Sequence, residues 1–154
     1  MEALRFSRGA QRERSRAAVV GWTAARGLVG AMAMTGMREA STRLGLLRRL
    51  PPEAIVEDVD PGVVDDLPPG KRELAIELLH WGYGAAGGAA FAALPAGLRR
   101  HPAAGPAYGA LVWLLFEAVL DPALGLRWDR RPRERLALLA DHLMYGAVVG
   151  TGPR

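Results

Sequence analysis

A fifteen-residue pattern occurs twice in this chain, at residues 74–88 and 136–150. The copies share seven identical positions, including an H-x-x-Y-G-A-x-x-G motif that begins at His80 and again at His142. A shared motif of this kind indicates an internal repeat. Small residues four apart let helix backbones approach closely, so the repeat also predicts two faces of helix packing. The glycines expected on these faces are Gly84, Gly88, Gly146 and Gly150.

Four apolar segments predict an all-α protein, at residues 17–47, 74–94, 103–120 and 136–150. A helix of about 20 residues crosses a hydrocarbon core about 30 Å thick, and the fourth segment is short by this measure. The composition, with 19 glycines and only 6% aromatic residues, favours helices packed through small residues over a sheet. We therefore predict a single four-helix transmembrane bundle over residues 17–152, built from two parallel helix-pair repeats. A water-soluble helical bundle is the alternative.

The regions outside these segments suggest contact with a membrane surface. Residues 1–16 carry five arginines and form a basic arm expected to lie on anionic headgroups. The apolar stretch at 17–37 shows no cleavage motif, so we expect a retained helix rather than a signal peptide. Arg26 lies inside it and would snorkel, face a partner helix, or argue against spanning. The Pro-rich and acidic loop at 48–72 predicts a short interfacial helix.

Composition excludes several classes of function. The chain has no cysteine, which excludes disulfides, zinc–thiolate sites, iron–sulfur clusters and thiol catalysis. Its net charge of +4 comes from arginines that flank apolar segments, as at membrane-protein ends, so we expect no nucleic-acid partner. Neither a nucleophile elbow nor a phosphate-binding loop is present, so an enzyme is not expected. Basic residues are nearly balanced between the two sides, and the basic N-terminus favours cytoplasmic termini.

The predicted topology brings ionisable residues to one level of the bundle. Helices two and four run in the same direction, so His80 and His142 lie at similar depth. Helices one and three run the other way and bring Glu39 and Glu117 to that level. The candidate ligand or cofactor residues are His80, His142, Glu39, Glu117, Glu77, Asp141, Tyr83 and Tyr145. We interpret Arg38 and Glu39 as a local ion pair.

Four interpretations of this polar layer stay open at this point. Hydrogen bonds within it would hold the helices in register. His80 and His142, with carboxylates, would bind a divalent metal, although the E-x-x-H motif at Glu77 has Leu139 in the second copy. The two imidazoles would instead ligate one haem b from opposite sides. Finally, the layer would carry protons or a solute.

Four stretches of the chain resemble a known group of proteins, namely Gly30–Glu39, Leu44–Glu53, His80–Ala85 and Asp141–Ala147. They are similar to small bacterial four-helix integral membrane proteins of the YagU-like inner-membrane family, over residues 27–150. The resemblance implies a multi-pass protein of the bacterial cytoplasmic membrane and supplies no catalytic residues. We predict a structural or accessory subunit in the lipid bilayer, beside another membrane subunit or in a homo-oligomer. A haem, metal or proton/solute site is the alternative.

Overall fold

The computed structural model describes residues 2–46, 67–123 and 130–151, and the regular structure in these ranges is entirely helical. Its helices are α1 (Glu2–Arg43), α2 (Pro69–Ala92), α3 (Ala96–Arg99), α4 (Ala104–Ala123) and α5 (Pro132–Gly150). The all-α prediction is thereby confirmed. The interfacial helix is expected in the loop at 48–72, of which residues 48–66 lie outside the described residues.

Prolines and a glycine set the helix boundaries. α2 and α5 begin at Pro69 and Pro132, each a few residues earlier than the apolar pattern predicts. Proline suits the first helical position because the N–H that it lacks has no partner there anyway. α1 ends before Gly45, whose φ of 68° allows the Leu46 N–H to return to the Ser41 carbonyl at 2.8 Å. At its other end α1 begins at Glu2, so the basic arm is the first part of this helix.

α4 changes its hydrogen-bonding pattern along its length. It is α-helical over Ala104–Leu115, π-helical over Phe116–Leu120 and α-helical again over Asp121–Ala123. In the wide turn the Asp121 N–H donates to the Phe116 carbonyl five residues earlier. Short π-helical turns of this kind occur often at functional sites.

The helices form two pairs that share a small core. α1 packs against α2, α4 packs against α5, and the pairs are joined mainly where α1 meets α5. The apolar core between the pairs consists of Met34, Phe91, Tyr145 and Val149. α2 and α4 approach each other through the rings of Phe91 and Tyr108, whose centroids are 5.2 Å apart.

Glycines let the two helices of each pair come into backbone contact. A Cβ atom on Gly88 of α2 would collide with the Thr23 carbonyl of α1, and one on Gly84 would collide with Ala31. In the other pair a Cβ on Gly146 of α5 would collide with the Gly105 carbonyl of α4. The two helices of each pair therefore lie closer together than a larger residue at these positions would allow.

Among the described residues, two helical segments are long and apolar enough to cross a membrane. They are Glu13–Arg43, which belongs to α1, and Ala104–Ala123, which is α4. Arg26, within the first of them, faces a neighbouring helix. Its Nε donates to the Val148 carbonyl of α5 at 2.6 Å. That carbonyl lies in the last turn of α5, where backbone acceptors lack helical partners and a cation is favourable.

Candidate functional site

A buried arginine lies at the interface between α1 and α2. Arg38 is 4% exposed, and its Nη2 lies 3.5 Å from Glu77 Oε1. The same Nη2 donates to the Thr35 hydroxyl at 3.1 Å, and this hydroxyl donates to Glu77 Oε2 at 2.6 Å. Trp81 Nε1 also donates to Thr35 Oγ1, at 3.2 Å. Helical spacings of three and four residues bring these side chains onto facing sides of the two helices.

Two histidines and an aspartate lie within electrostatic reach of this arginine. The positive charge of Arg38 acts on His80 of α2 and on Asp141 and His142 of α5. His80 and His142 also influence each other. We use the name Arg38 cluster for the set Thr35, Arg38, Glu77, His80, Trp81, Asp141 and His142.

The tautomer of one histidine follows from its partner. His142 Nδ1 lies 2.7 Å from the Leu138 carbonyl, one turn earlier in α5. A carbonyl oxygen only accepts hydrogen bonds, so Nδ1 carries a proton and the neutral ring keeps its lone pair on Nε2. A backbone carbonyl fixes metal-ligating histidines in the same way.

Asp141 and His80, both in the Arg38 cluster, have buried polar atoms without a hydrogen-bond partner among the described residues. Asp141 is 1% exposed, and both of its carboxylate oxygens lack a hydrogen-bond partner among the described residues. His80 Nε2 is also buried and without a hydrogen bond there. A buried polar group without a partner costs about 1–3 kcal/mol, and an ionised one costs more. Such groups require an explanation, and a bound proton, ion or ligand is one.

A second buried arginine gathers acids near the end of α4. Arg130, which precedes α5, binds Glu117 Oε1 and Asp121 Oδ2 through Nη1, the latter at 3.0 Å. Its Nη2 donates to Asp121 Oδ1 at 3.3 Å, and its guanidinium stacks 5.4 Å from the centre of the Phe116 ring. We call Glu117, Asp121 and Arg130 the Arg130 cluster. Both acids lie in or next to the π-helical turn, so this cluster fastens the wide part of α4 to the start of α5.

The structure brings together only part of the layer expected from the sequence. His80, His142, Glu77 and Asp141 lie in the Arg38 cluster. Tyr145 is buried nearby, and its hydroxyl donates to the Gly84 carbonyl at 2.7 Å.

Three of the expected residues lie elsewhere. Glu117 belongs to the Arg130 cluster, and Glu39 lies on the surface beside Arg43. Tyr83 is 59% exposed, although it occupies the same motif position as the buried Tyr145. The reason is helix packing. α5 contacts both α1 and α4, whereas α2 packs mainly against α1 and leaves its other side open.

Both central arginines were outside the set chosen from the sequence. The prediction of an ion pair between Arg38 and Glu39 is wrong. Arg38 points inward to Glu77, and Glu39 pairs with Arg43 at 3.0 Å. Neighbouring residues on a helix point about 100° apart, so they seldom share a partner. The signal for Arg38 was its position among the apolar residues of α1. Arg130 lies outside the apolar segments, and nothing local distinguished it.

Among the described residues, no group of three or more His, Asp or Glu side chains is arranged to hold a metal ion. The neutral His142 ring keeps its lone pair on Nε2, and His80 Nε2 has no hydrogen bond among the described residues.

The fold and site together define a class. The protein is an all-helical bundle with close glycine contacts and two buried clusters of charged residues. Comparison of the chain with family models, with curated proteins and with solved structures gives no match.

Proposed function

We propose that the chain is an integral membrane protein of the bacterial cytoplasmic membrane in which α1, α2, α4 and α5 all cross the bilayer. One observation carries this proposal, namely that charged side chains are buried within the bundle while many large apolar side chains are exposed on its outer surface. The buried side chains include the charged residues Arg38, Asp121, Arg130, Glu134 and Asp141. Large apolar side chains cover the outer surface, among them Trp22, Val29, Leu74, Leu79, Leu111, Leu114, Val119 and Leu136.

Lipid explains this distribution better than water does. A water-soluble bundle buries its leucines and exposes its charges, since that burial drives folding. In a bilayer, the exposed leucines face acyl chains, and charged side chains turn towards the interior of the bundle. Small residues then supply the helix interfaces, as they do between α1 and α2 and between α4 and α5.

The glycine contacts also support the proposed repeat. In the first pair Gly84 approaches Gly27, and in the second Gly146 approaches Gly105. Gly84 and Gly146 occupy the same position of the motif, so α2 corresponds to α5. Their contact partners Gly27 and Gly105 then make α1 correspond to α4. The match extends beyond the glycines, since the same sequence offset aligns Glu39 with Glu117. Two helix pairs related by an axis along the membrane normal would produce this correspondence.

We infer a structural or accessory role for this bundle. Buried ion pairs are a weak source of stability but specify which helices pair and in what register. Arg38 with Glu77 links α1 to α2, and Arg130 with Glu117 links α4 to the start of α5. The apolar outer surface then faces lipid, another membrane subunit or a second copy of the chain.

Membrane extraction and topology mapping test the proposal. The full chain, expressed in bacteria, is expected in the membrane pellet after alkaline carbonate and to require detergent for release. Recovery in the aqueous fraction without detergent would contradict the proposal. Alkaline phosphatase fused after Arg154 is expected to be inactive, and fused at Asp60 active, if both termini are cytoplasmic. Equal activity of the two fusions would overturn the four-span topology.

A proton or solute pathway through the Arg38 cluster is the second candidate function. It is favoured by the Asp141 carboxylate, which is buried without a hydrogen bond among the described residues. Buried acids with histidines beside them are the parts of a proton relay. In proteoliposomes, Asp141→Asn should abolish any proton flux that the intact protein shows, whereas Glu39→Gln on the surface should not. Flux that is equal in all three proteins would remove this candidate.

The haem and metal alternatives have a direct spectroscopic test. A Soret band in the purified protein that disappears in both His80→Ala and His142→Ala would establish haem. Metal content below stoichiometric in protein purified without chelators would remove the metal alternative. The relationship to the YagU-like family stays a prediction.

A further inference from the structure

We propose that the cleft between the α3–α4 turn and the end of α5 binds a phosphate-bearing anion, with an anionic phospholipid headgroup as its source in a membrane. The cleft has a volume of about 130 Å³, and its lining includes Arg99, Arg100, His101, Gly105 and Thr151. An engineered cavity of about 150 Å³ accommodates benzene, so this volume is sufficient for one phosphate group.

The lining of the cleft has the chemistry that phosphate binding requires. Two guanidinium groups lie beside each other in sequence, and guanidinium is the side chain best matched to phosphate oxygens. None of the described residues that line the cleft carries a carboxylate. Arg99 is anchored there, since its Nε donates to the Leu94 carbonyl at 3.0 Å.

His101 adds an oriented donor. The backbone N–H of Ala103 donates to His101 Nδ1 at 3.2 Å. Nδ1 must therefore be unprotonated in the neutral ring, which leaves the proton on Nε2. An Nε2–H donates to an anion and does not accept from a cation.

The negative end of the α5 helix dipole, which lies at the cleft, is partly compensated by nearby hydrogen-bond donors. The end of α5, at Gly150 and Thr151, lies against the cleft and carries the negative end of its helix dipole. Arg26 donates to the Val148 carbonyl at 2.6 Å, and Thr151 Oγ1 donates to the same carbonyl at 3.0 Å. The last turn of α5 is thus partly neutralised. Gly105 and Pro106, in the first turn of α4, also line the cleft.

The end of the bundle that contains the cleft is positively charged, like the cleft itself. α1 runs antiparallel to α2, so the start of α1 and the α3 turn lie at one end. Among the side chains that the structure describes, they bring four arginines and one glutamate, namely Arg14, Arg16, Arg99, Arg100 and Glu13. Basic residues next to membrane segments each add to the attraction for anionic lipid. The cleft would give this diffuse attraction one defined site.

The lipid part of this inference rests on the proposed membrane location, whereas binding of phosphate at the cleft does not. The test uses the full chain purified in neutral detergent. Binding is measured by native mass spectrometry with phosphatidylglycerol, phosphatidylcholine and inorganic phosphate as separate probes. Retention of phosphatidylglycerol over phosphatidylcholine is expected. Phosphate that competes with it would identify a site for the phosphate group alone, and lack of competition a site for the headgroup with its acyl chains.

Matched variants decide whether the cleft is responsible. Arg99→Ala/Arg100→Ala should weaken phosphatidylglycerol binding at least tenfold. Arg131→Ala/Arg133→Ala, which removes two exposed arginines at the opposite end, should leave it unchanged. Arg100→Glu alone should also weaken binding, and it leaves the bond between Arg99 and Leu94 intact. Equal loss in both double variants, or no loss in Arg100→Glu, would overturn the proposal. Carbonate extraction of the same variants reports on membrane location independently.

Discussion

The two helix pairs share a packing principle and differ in how they use charge. In α1/α2 and in α4/α5, glycines bring the backbones into contact at equivalent motif positions. The first pair places Arg38 across its interface to Glu77, whereas the second gathers Glu117 and Asp121 around Arg130 at its end. Backbone approach is therefore common to both pairs, and the polar chemistry is specific to each.

The pairs also differ in how each meets the other. The ring of Tyr145 packs against Gly30 of α1, where a Cβ atom would lie only 2.9 Å from Tyr145 Cδ2. The offset that matches Gly27 with Gly105 aligns Gly30 with Tyr108 of α4. Tyr108 fills that space itself and donates to the Gly87 carbonyl at 2.7 Å. One glycine-to-tyrosine difference thus accounts for close contact between α1 and α5 and a looser one between α2 and α4.

The largest losses of stability are expected at the close glycine contacts that both helix pairs share. Gly88→Leu and Gly146→Leu should each lower the free energy of unfolding by more than about 3 kcal/mol, since overpacking costs about 1–3 kcal/mol even when side chains give way. Here the obstacle is backbone, the Thr23 carbonyl in one pair and the Gly105 carbonyl in the other. The measurement is the unfolding transition in detergent.

Gly82→Leu is the control for the glycine contacts, because a Cβ at Gly82 meets nothing within 4 Å. It should unfold like the unchanged protein. If it is as destabilised as Gly88→Leu, the close contact between α1 and α2 is not the cause. If only one of Gly88→Leu and Gly146→Leu is destabilised, the two pairs do not share a packing principle.

Intermediate effects are expected where the pairs differ. Arg130→Ala leaves carboxylates that are only 12% exposed without their buried partner and should lower stability by about 3–5 kcal/mol. Arg38→Ala should cost less, because its partner Glu77 is 30% exposed. Arg130 also pairs with two carboxylates, and of these only Glu117 keeps another partner among the described residues, Arg135 at 3.7 Å. Arg43→Ala breaks only the exposed pair with Glu39 and should change stability by less than about 0.5 kcal/mol. Losses for Arg38 and Arg130 as small as that for Arg43 would show that the clusters are hydrated.

The smallest effects concern the tyrosines between the pairs. Tyr145→Phe and Tyr108→Phe each remove one hydrogen bond to a glycine carbonyl of α2. Interhelical bonds in membranes average about 0.6 kcal/mol and reach about 1.7 kcal/mol. Tyr83→Phe, at the exposed equivalent of Tyr145, should leave the unfolding midpoint unchanged. A loss for Tyr83→Phe that matches the loss for Tyr145→Phe would indicate that Tyr83 is covered by another subunit.

The sequence predicted part of the candidate site but did not identify the partners of its residues. Spacing predicted that His80 and His142 lie at similar depth and that Glu77 accompanies them. It also predicted Glu39 inside, because the ends of helices one and three were known only to within a turn. A shift of one residue along α1 decides which side chain faces the interior, since Arg38 and Glu39 point in directions about 100° apart.

The sequence alone determined that this chain is helical and where its backbones come close. These properties depend on local periodicity, on prolines at helix starts and on glycines four residues apart. Tertiary structure decided that Arg38 pairs with Glu77, that Arg130 collects Glu117 and Asp121, and that Tyr145 is buried while Tyr83 is exposed. The physical reason is that burial and pairing depend on how each helix is rotated and how many neighbours it has. No pattern along a single helix records either quantity.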